Sequence, residues 1–360
     1  MTIVNPVAAR VAARYPDPVV RFLLLALCLA AAALPGCRCL GGSGEIRFPD
    51  AADTDAFTPP SDAGAGADGA ALGSDAGVVH PENLPESLYA VAAVFADRKL
   101  WVIGGNDGCG AIDTVWSYDF SAPGQGWAEG PAMPRAAEFA AAATDGTRIY
   151  VGGGLDFGTR ADDVLVLDIA TQTWTVGPSF PSARSGLGAG WSGGLLLFVG
   201  GLDELNTPLD EVWALDPTDL TLAAMPAVAG GTAHHGVATW NDQVFVVSGM
   251  IPGNALTPDV RRFGAGGAWS PLAPLPIARK YSAGVALGDR IVVFGGALSE
   301  GEPSGLVDAY DPDADTWTAL PSITPVATAA AVAIGDAIYL IGGLRTSGPT
   351  AEILVVERSW

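Results

Sequence analysis

The chain has 360 residues, 49% of them hydrophobic and only 16% charged, with 47 glycines and 27 prolines; so many turn residues among strand formers argue for an all-β fold of short strands. Thirty-nine Asp and Glu face 18 Lys and Arg, for a formal net charge of -21. That balance excludes nucleic acid as a partner, because a phosphate backbone is held by clustered Lys and Arg, and it suits an exposed protein kept soluble by like charge.

At the N-terminus, Arg10, Arg14 and Arg21 precede an apolar run over residues 22–34. A run of about 13 residues is too short to span a bilayer and suits a signal-peptide core. It ends in Leu34-Pro35-Gly36-Cys37, which resembles the lipobox of bacterial lipoproteins, although Pro35 departs from the usual small residue there. The resemblance implies a signal peptide over residues 1–36, lipidation of Cys37 and export; ordinary cleavage without lipid is the alternative. Cleavage before Cys37 removes three Arg and one Asp, which takes the formal charge from -21 to -23. Arg38, with no Asp at that place, resembles the pattern that sends lipoproteins to an outer membrane, facing the periplasm or the surface. Cys39 and Cys109 then remain in a disulfide-permissive compartment, and their pairing is not fixed by sequence.

Residues 37–77 are rich in Gly, Ala, Asp, Ser and Pro. So little apolar side chain cannot offset the entropy of ordering, and like charges extend the chain, so this stretch reads as a disordered acidic tether. A flexible segment of about 40 residues reaches on the order of 35 Å.

From residue 78 onward the chain repeats itself. The stretch Lys99-Leu-Trp-Val-Ile-Gly-Gly returns five times, with doublets starting at 104, 152, 200, 248, 295 and 342. Steps of 48, 48, 48, 47 and 47 residues between them are the mark of a fold built one supersecondary unit at a time. Each unit reads as four strands. In the fifth these are residues 281–287, 290–294, 306–310 and 316–321, with tight turns between the first and second and between the third and fourth, hence an antiparallel meander. No doublet is followed by the Lys-Ser/Thr and helix of a nucleotide loop, so the glycines are geometry.

A Gly-Gly doublet, then a Tyr, then a Trp about six residues beyond it, resembles the Kelch-repeat β-propellers. The Tyr place is held by Tyr118, Leu167, Leu215, Phe263 and Tyr310, and the Trp place by Trp127, Trp174, Leu222, Trp269 and Trp317. The resemblance covers residues 78–360 and implies a six-bladed propeller of four-stranded antiparallel Kelch-type blades. Large aromatics at these places fill the wedge between twisted blades, which makes the Trp set core. The sixth unit ends before its fourth strand, while residues 78–85 align with 269–276. Residues 77–84 are therefore expected to pair beside residues 353–356 and close the ring with an N-terminal strand.

In a meander, the loops joining second to third strands share a face with the connections from fourth to next first strand. These loops are the longest and most varied in the chain, and long loops on a rigid scaffold are where binding resides. The polar residues they place there are Asp107, Asp156, Arg160, Asp203, Glu204 and Arg345, with Arg184, His234, His235, Arg279 and Lys280 at the entries to first strands. Such arginines suit a carboxylate held in bidentate fashion, or else neutralise neighbouring acidic loops. The ligand set expected is Asp107, Asp156, Arg160, Arg184, Asp203, Glu204, His235, Arg279 and Arg345.

A copper oxidase of the galactose-oxidase sort needs two histidines and two tyrosines on one metal. The chain has three histidines, His80, His234 and His235, and adjacent residues on a strand point to opposite faces. The acidic run from Asp311 to Asp315 lacks the glycine and glutamate of a calcium loop and sits at a hairpin, where turn chemistry explains it. Neither metal nor cofactor is expected. The sequence thus reads as a monomeric, lipid-anchored binding or scaffolding module for an envelope or extracellular protein or carbohydrate. The alternative is a periplasmic carbohydrate enzyme such as a sugar-acid mutarotase, for which Glu138, Glu204 and Glu300 are available as general acid or base.

Overall fold

The structure, a computed structural model, describes residues 78–358 apart from 265 and 299–301. The signal peptide, Cys37, Cys39 and the tether lie outside the described residues. Six antiparallel meanders follow one another. In the first, Ala92–Ala96, Lys99–Ile103, Val115–Asp119 and Trp127–Glu129 pair in sequence order, and the fifth repeats this with Ala283–Leu287, Arg290–Phe294, Val307–Asp311 and Thr316–Leu320. The fold is the expected six-bladed propeller.

Side-chain size grades outward along each blade. First strands lie nearest the axis, where neighbouring sheets converge, and they are built of small residues such as Ala92-Ala93 and Ala141-Ala142-Ala143. At Gly188 even a methyl group would overlap Val237 of the next blade. Second strands are almost wholly buried, as in the Ile291–Phe294 segment, because both of their faces pack on neighbouring blades. In the third and fourth strands the family's aromatic places pair across the ladder: Tyr118 with Trp127, Leu167 with Trp174, Phe263 with Trp269 and Tyr310 with Trp317. These tryptophans also donate their indole N–H to the chain just past the outer strand of the preceding blade: Trp174 to Pro131 O at 2.8 Å, Trp269 to Pro226 O at 2.9 Å and Trp317 to Ala273 O at 2.9 Å. The tryptophans are thus interblade clamps; they are only partly buried, not the core expected from sequence, and the fully buried tryptophan is Trp101.

The doublet is a staple between blades. Its first residue has φ between 57° and 62° and its second between 95° and 111° in every blade, conformations that favour glycine. The second residue's N–H donates to the chain entering the next blade: Gly105 to Ala137 O, Gly154 to Arg184 O, Gly201 to Thr232 O, Gly249 to Arg279 O, Gly296 to Val326 O and Gly343 to Leu88 O. This geometry corrects the register read from sequence in the second unit. There Gly153-Gly154 is the doublet, and Gly152 ends the preceding strand. In the fourth unit the exception Ser248 has a local reason. Its hydroxyl lies 2.7 Å from Arg279 O, the carbonyl a Cβ would crowd, and accepts the Arg279 N–H at 2.9 Å.

The ring closes at the place expected from sequence, but the described residues 78–84 form no strand there, so the expected N-terminal strand is a segment docked by single bonds and the sixth sheet has three strands. In the sixth blade Ala330–Ile334, Ala337–Ile341 and Ile353–Glu357 form the ladder, and the extended segment 78–84 takes the fourth place beside them. It is joined by Leu84 N–H to Ala351 O at 2.8 Å and by Ile353 N–H to the Asn83 side chain at 3.3 Å, without a continuous ladder. Trp127 donates to Glu82 O at 2.9 Å, which is what Trp317 does to Ala273, so the alignment of 78–85 with 269–276 holds at this bond. Tyr339 donates its hydroxyl to Val79 O at 2.8 Å.

Candidate functional site

Six bridges fix which loops share a face. Tyr89 pairs with Asn106, Glu138 with Leu155, Ser185 with Leu202, Ala233 with Met250, Lys280 with Ala297 and Ala327 with Leu344. Each ties a connection entering a first strand to a loop between second and third strands, so both kinds of loop lie on one end of the propeller.

One residue deeper the chain builds a floor across the axis. Ala90, Phe139, Gly186, His234, Tyr281 and Thr328 occupy equivalent places, and all six have φ between 55° and 76°. Each N–H donates to the carbonyl of the residue before it in the ring: Phe139 to Ala90, Gly186 to Phe139, His234 to Gly186, Tyr281 to His234, Thr328 to Tyr281 and Ala90 back to Thr328, at 2.9 to 3.3 Å. A left-handed backbone is costly for side chains of this size. It persists because a closed ring of six hydrogen bonds determines it from both sides. Gly186 is the small member, and the His234 ring lies over it, close to where a Cβ would stand. Phe139 and Tyr281 meet His234 edge to face, at ring-centroid distances of 6.2 and 4.7 Å.

Above this floor stand Tyr89, Glu138 and Lys280. Asn106 donates its side-chain N–H to Glu138 at 2.7 Å. Burial, then the Glu138 charge, pushes the Tyr89 hydroxyl well above the ordinary phenol range. The Lys280 ammonium lies over the Tyr281 ring, 4.7 Å from its centroid, and burial lowers its pKa. Burial, reinforced by Lys280, holds His234 neutral, far below the usual imidazole range. Arg160 donates to Ser185 Oγ at 2.9 Å and to the Asn206 side chain, which links the loops of the second and third blades.

The nine residues expected to bind are not gathered into one cluster. Arg184 and Arg279 are wholly buried and bonded to Glu211 at 2.6 Å and Asp308 at 2.7 Å; they strut a first-strand entry against the third strand of the same blade and present no surface to a ligand. His235 is also buried, its ring 3.2 Å from Thr232 Oγ1, between the inner strands of neighbouring blades. Arg345 pairs with Glu352. Asp107 and Asp203 accept backbone N–H groups of their own loops, from Cys109 and from Leu205 and Thr207. Asp156 is half-buried beside the loop tip at Phe157, and Glu204 is exposed. Arg160 and Asp107 reach the surroundings of the floor, where the charge of Arg160 acts on His234 and that of Asp107 on Tyr89. Tyr89, Phe139, Tyr281 and Thr328, which reasoning from sequence passed over, meet there instead. Their signal was present as a second repeat at 90, 139, 186, 234, 281 and 328, hidden because the residue type changes at every return.

Away from the axis, two interblade clefts, one lined by Thr232, Ser248 and Arg261 and the other by Arg345 and Glu352, measure about 20 and 10 Å³, room for a water at most. Among the described residues no three His, Cys, Asp or Glu side chains converge as a metal site would need. The acidic hairpin after the fifth blade's third strand is turn chemistry, with Asp311 accepting the N–H groups of Asp313 and Ala314 at 3.0 Å.

The buried His235 makes stability depend on pH. Burial lowers its pKa from 6.5 to about 3, so the folded state keeps it neutral while the unfolded chain protonates it. Its contribution is complete above pH 6.5 and is lost progressively as pH falls toward 3. Urea unfolding at pH 7 and pH 5 is expected to show a smaller pH-dependent loss in His235→Leu than in the parent chain; equal losses would assign the acid sensitivity elsewhere.

Comparison with known proteins places this geometry in context. A family model described as the KLHDC2/KLHL20/DRC7 Kelch-repeats domain matches residues 77–249, and a Kelch motif model matches residues 278–324. Kelch-like protein 35 of Mus musculus is 27% identical over 285 residues, 78% of this chain and 46% of its own length. Kelch-like protein terF of Aspergillus terreus is 32% identical over 158 residues, 41% of this chain and 34% of its own length. Beta-scruin of Limulus polyphemus is 31% identical over 127 residues, 31% of this chain and 13% of its own length. The chain spans less than half the length of each of these relatives. A solved structure titled "Structure of YjhT" superposes with a TM-score of 0.69 at 14% identity, covering 78% of this chain and 97% of that one, a likeness of fold.

Proposed function

The chain belongs to the Kelch-repeat family, and from that premise we propose that its propeller is a binding or scaffolding module that recognises an envelope or extracellular protein or carbohydrate through the loop face. The observation that carries this reading is the asymmetry of the two ends. On the loop face Phe157 and Leu205, at the loop tips of neighbouring blades, are 73% and 84% exposed, and large exposed apolar side chains on linked loops suit a contact surface. The opposite end is made of short turns whose acidic side chains are held within the turn or by the neighbouring blade, as Asp168 is by Thr171, Asp216 by Thr218 and Asp242 by Gly193. The export and outer-membrane lipid anchoring at Cys37 are part of the same proposal and rest on the sequence. A photo-crosslinking residue at Leu205 in intact cells should capture a defined envelope protein or polysaccharide, while the same group at Asp313 on the opposite end should not. Equal capture from both ends, or none from Leu205, would overturn the proposal. The alternative of a sugar-acid mutarotase is favoured by Glu138, held by Asn106 above the axial floor; turnover of sugar acids that disappears in Glu138→Gln would decide for it.

A further inference from the structure

We infer that the propeller is two halves, blades three to five and blades six, one and two, which flex against each other along one diameter, and that the loop-tip contact surface straddles one of the two seams and is coupled to it. The second part deepens the loop-face reading and rests on it. The indole clamp distinguishes the junctions. Its acceptor lies four residues past the tryptophan place of the preceding blade, and the bond is made at four junctions: Trp127 to Glu82 O, Trp174 to Pro131 O, Trp269 to Pro226 O and Trp317 to Ala273 O. In the third blade that place is held by Leu222 and in the closing segment by Val78, and neither side chain carries a donor. The junctions between blades two and three and between blades five and six therefore have no clamp. Three blades lie between them in either direction, so the two seams face each other across the ring.

The other contacts between blades follow the same division. Inside the half of blades three to five, Ser192 Oγ donates to Asp242 O at 2.9 Å, Trp240 to Gly288 O at 3.0 Å and the Ala273 N–H to Asp315 at 2.7 Å. Blades two and three meet through rings instead, Tyr150 with Trp191 and Phe180 with Phe198. Apolar packing is non-directional and allows small sliding that a bond of fixed geometry resists. Eight of the nine described tryptophans donate their indole N–H. The ninth is Trp191, at this seam, with its N–H buried and unpartnered, a condition rare for a buried donor. Between blades five and six the outer tie is Arg358 to Asp289 at 2.7 Å, with both side chains partly exposed, a kind of pair that solvent weakens. On the axis both seams keep their ring bonds, Gly186 N–H to Phe139 O at 3.1 Å and Thr328 N–H to Tyr281 O at 3.0 Å. The inner ring is thus the pivot, and the outer rim is the part that moves.

The loop tips connect this motion to binding. Phe157 belongs to blade two and Leu205 to blade three, so the exposed apolar tips stand on either side of a seam. Arg160 crosses it there, to Ser185 Oγ at 2.9 Å and to Asn206. A partner that touches both tips holds the halves in one arrangement and selects it.

Spin labels test the halves. Cysteines at Glu129, Ala224 and Ala319, equivalent exposed places on the outer strands of blades one, three and five, are labelled in pairs in the full chain with its native cysteines changed to serine. Pulsed electron paramagnetic resonance then gives three distance distributions. Those of Glu129 with Ala224 and of Glu129 with Ala319 cross a seam and are expected to be about twofold broader than that of Ala224 with Ala319. Leu222→Trp supplies the missing indole and should narrow the distribution of Glu129 with Ala224. Trp269→Leu removes a clamp and should broaden that of Ala224 with Ala319, and it decides alone if the melting temperature shows that Leu222→Trp overpacks. Three equal widths, or widths that ignore the substitutions, overturn the two halves. Capture from Leu205 should change severalfold in Leu222→Trp, and unchanged capture overturns the coupling. Capture from Leu205 with three equal widths leaves the binding module standing without the halves; unequal widths without any capture leave the halves standing and overturn the loop-face surface.

Discussion

Arg279→Met is expected to lower the unfolding free energy by about 3–5 kcal/mol, the cost of leaving one member of a buried ion pair alone. The Arg279 guanidinium is wholly buried and Asp308 is 9% exposed, with 2.7 Å between Nη2 and Oδ2. The same nitrogen donates to Val293 O at 3.3 Å, and Nη1 donates to Ile277 O at 3.2 Å. Burial pulls the Arg279 pKa below its ordinary value, and Asp308 works against that shift, so the charge is sustained by its partner. Without the guanidinium, Asp308 keeps a carboxylate in the interior with no counter-charge. Arg290 supplies the comparison. It bonds Asp289 at 2.8 Å and Asp311 at 3.0 Å but is partly exposed, and Arg290→Met should cost about 1 kcal/mol or less. Chemical denaturation of both variants makes the test. The double variant Arg279→Met, Asp308→Leu should recover much of the loss, since a buried pair replaced by apolar side chains is often neutral. Equal costs for Arg279→Met and Arg290→Met would show that the pair is not what holds the first-strand entry.

The second large effect concerns closure. Deleting residues 78–84 from the full chain removes the buried Leu84 side chain and the acceptors of Trp127 and Tyr339. One buried leucine contributes about 1.5–3 kcal/mol, and each hydrogen bond adds about 1 kcal/mol. The expected loss is therefore about 4–5 kcal/mol, or roughly 10 °C in melting temperature for a body of this size. The Ile353–Glu357 strand would also become an open edge, and open edges pair with other chains. Calorimetry and sedimentation of the deletion variant should show both the lower melting temperature and concentration-dependent association. A monomer that melts like the parent would mean that the two rings of backbone bonds, through Leu88 and Ala90, close the propeller unaided. Leu84→Asp is the point substitution that tests the same contact.

The fold was legible because its signals are local and repeated. A doublet that needs two positive φ values admits few residues besides glycine, so it recurs visibly, and the aromatic that clamps one blade to the next recurs with it. Even the closing segment could be aligned, since Glu82 stands where Ala273 does and accepts the same indole bond. The second unit's register was misread by one residue because Gly152-Gly153-Gly154 offers two doublets, and only the dihedral angles distinguish them.

The loop face was less legible. Sequence could say that Arg184, Arg279, Arg160 and Arg345 lie near loops, but not whether each guanidinium points to solvent or to a partner inside the propeller, since Arg184 and Arg279 find theirs 27 and 29 residues away and Arg160 reaches Asn206, 46 residues on. Nor could it single out His234, Tyr281 and Thr328, which meet on the axis. The amino-acid sequence by itself determined the repeat, the blade number and the place of closure, because each follows from backbone conformation and burial within a unit or its neighbour. Only the tertiary structure decided which cations are consumed as struts and which side chains face the axis, because a propeller brings together residues from six different units, and their meeting leaves no trace in the local sequence of any one.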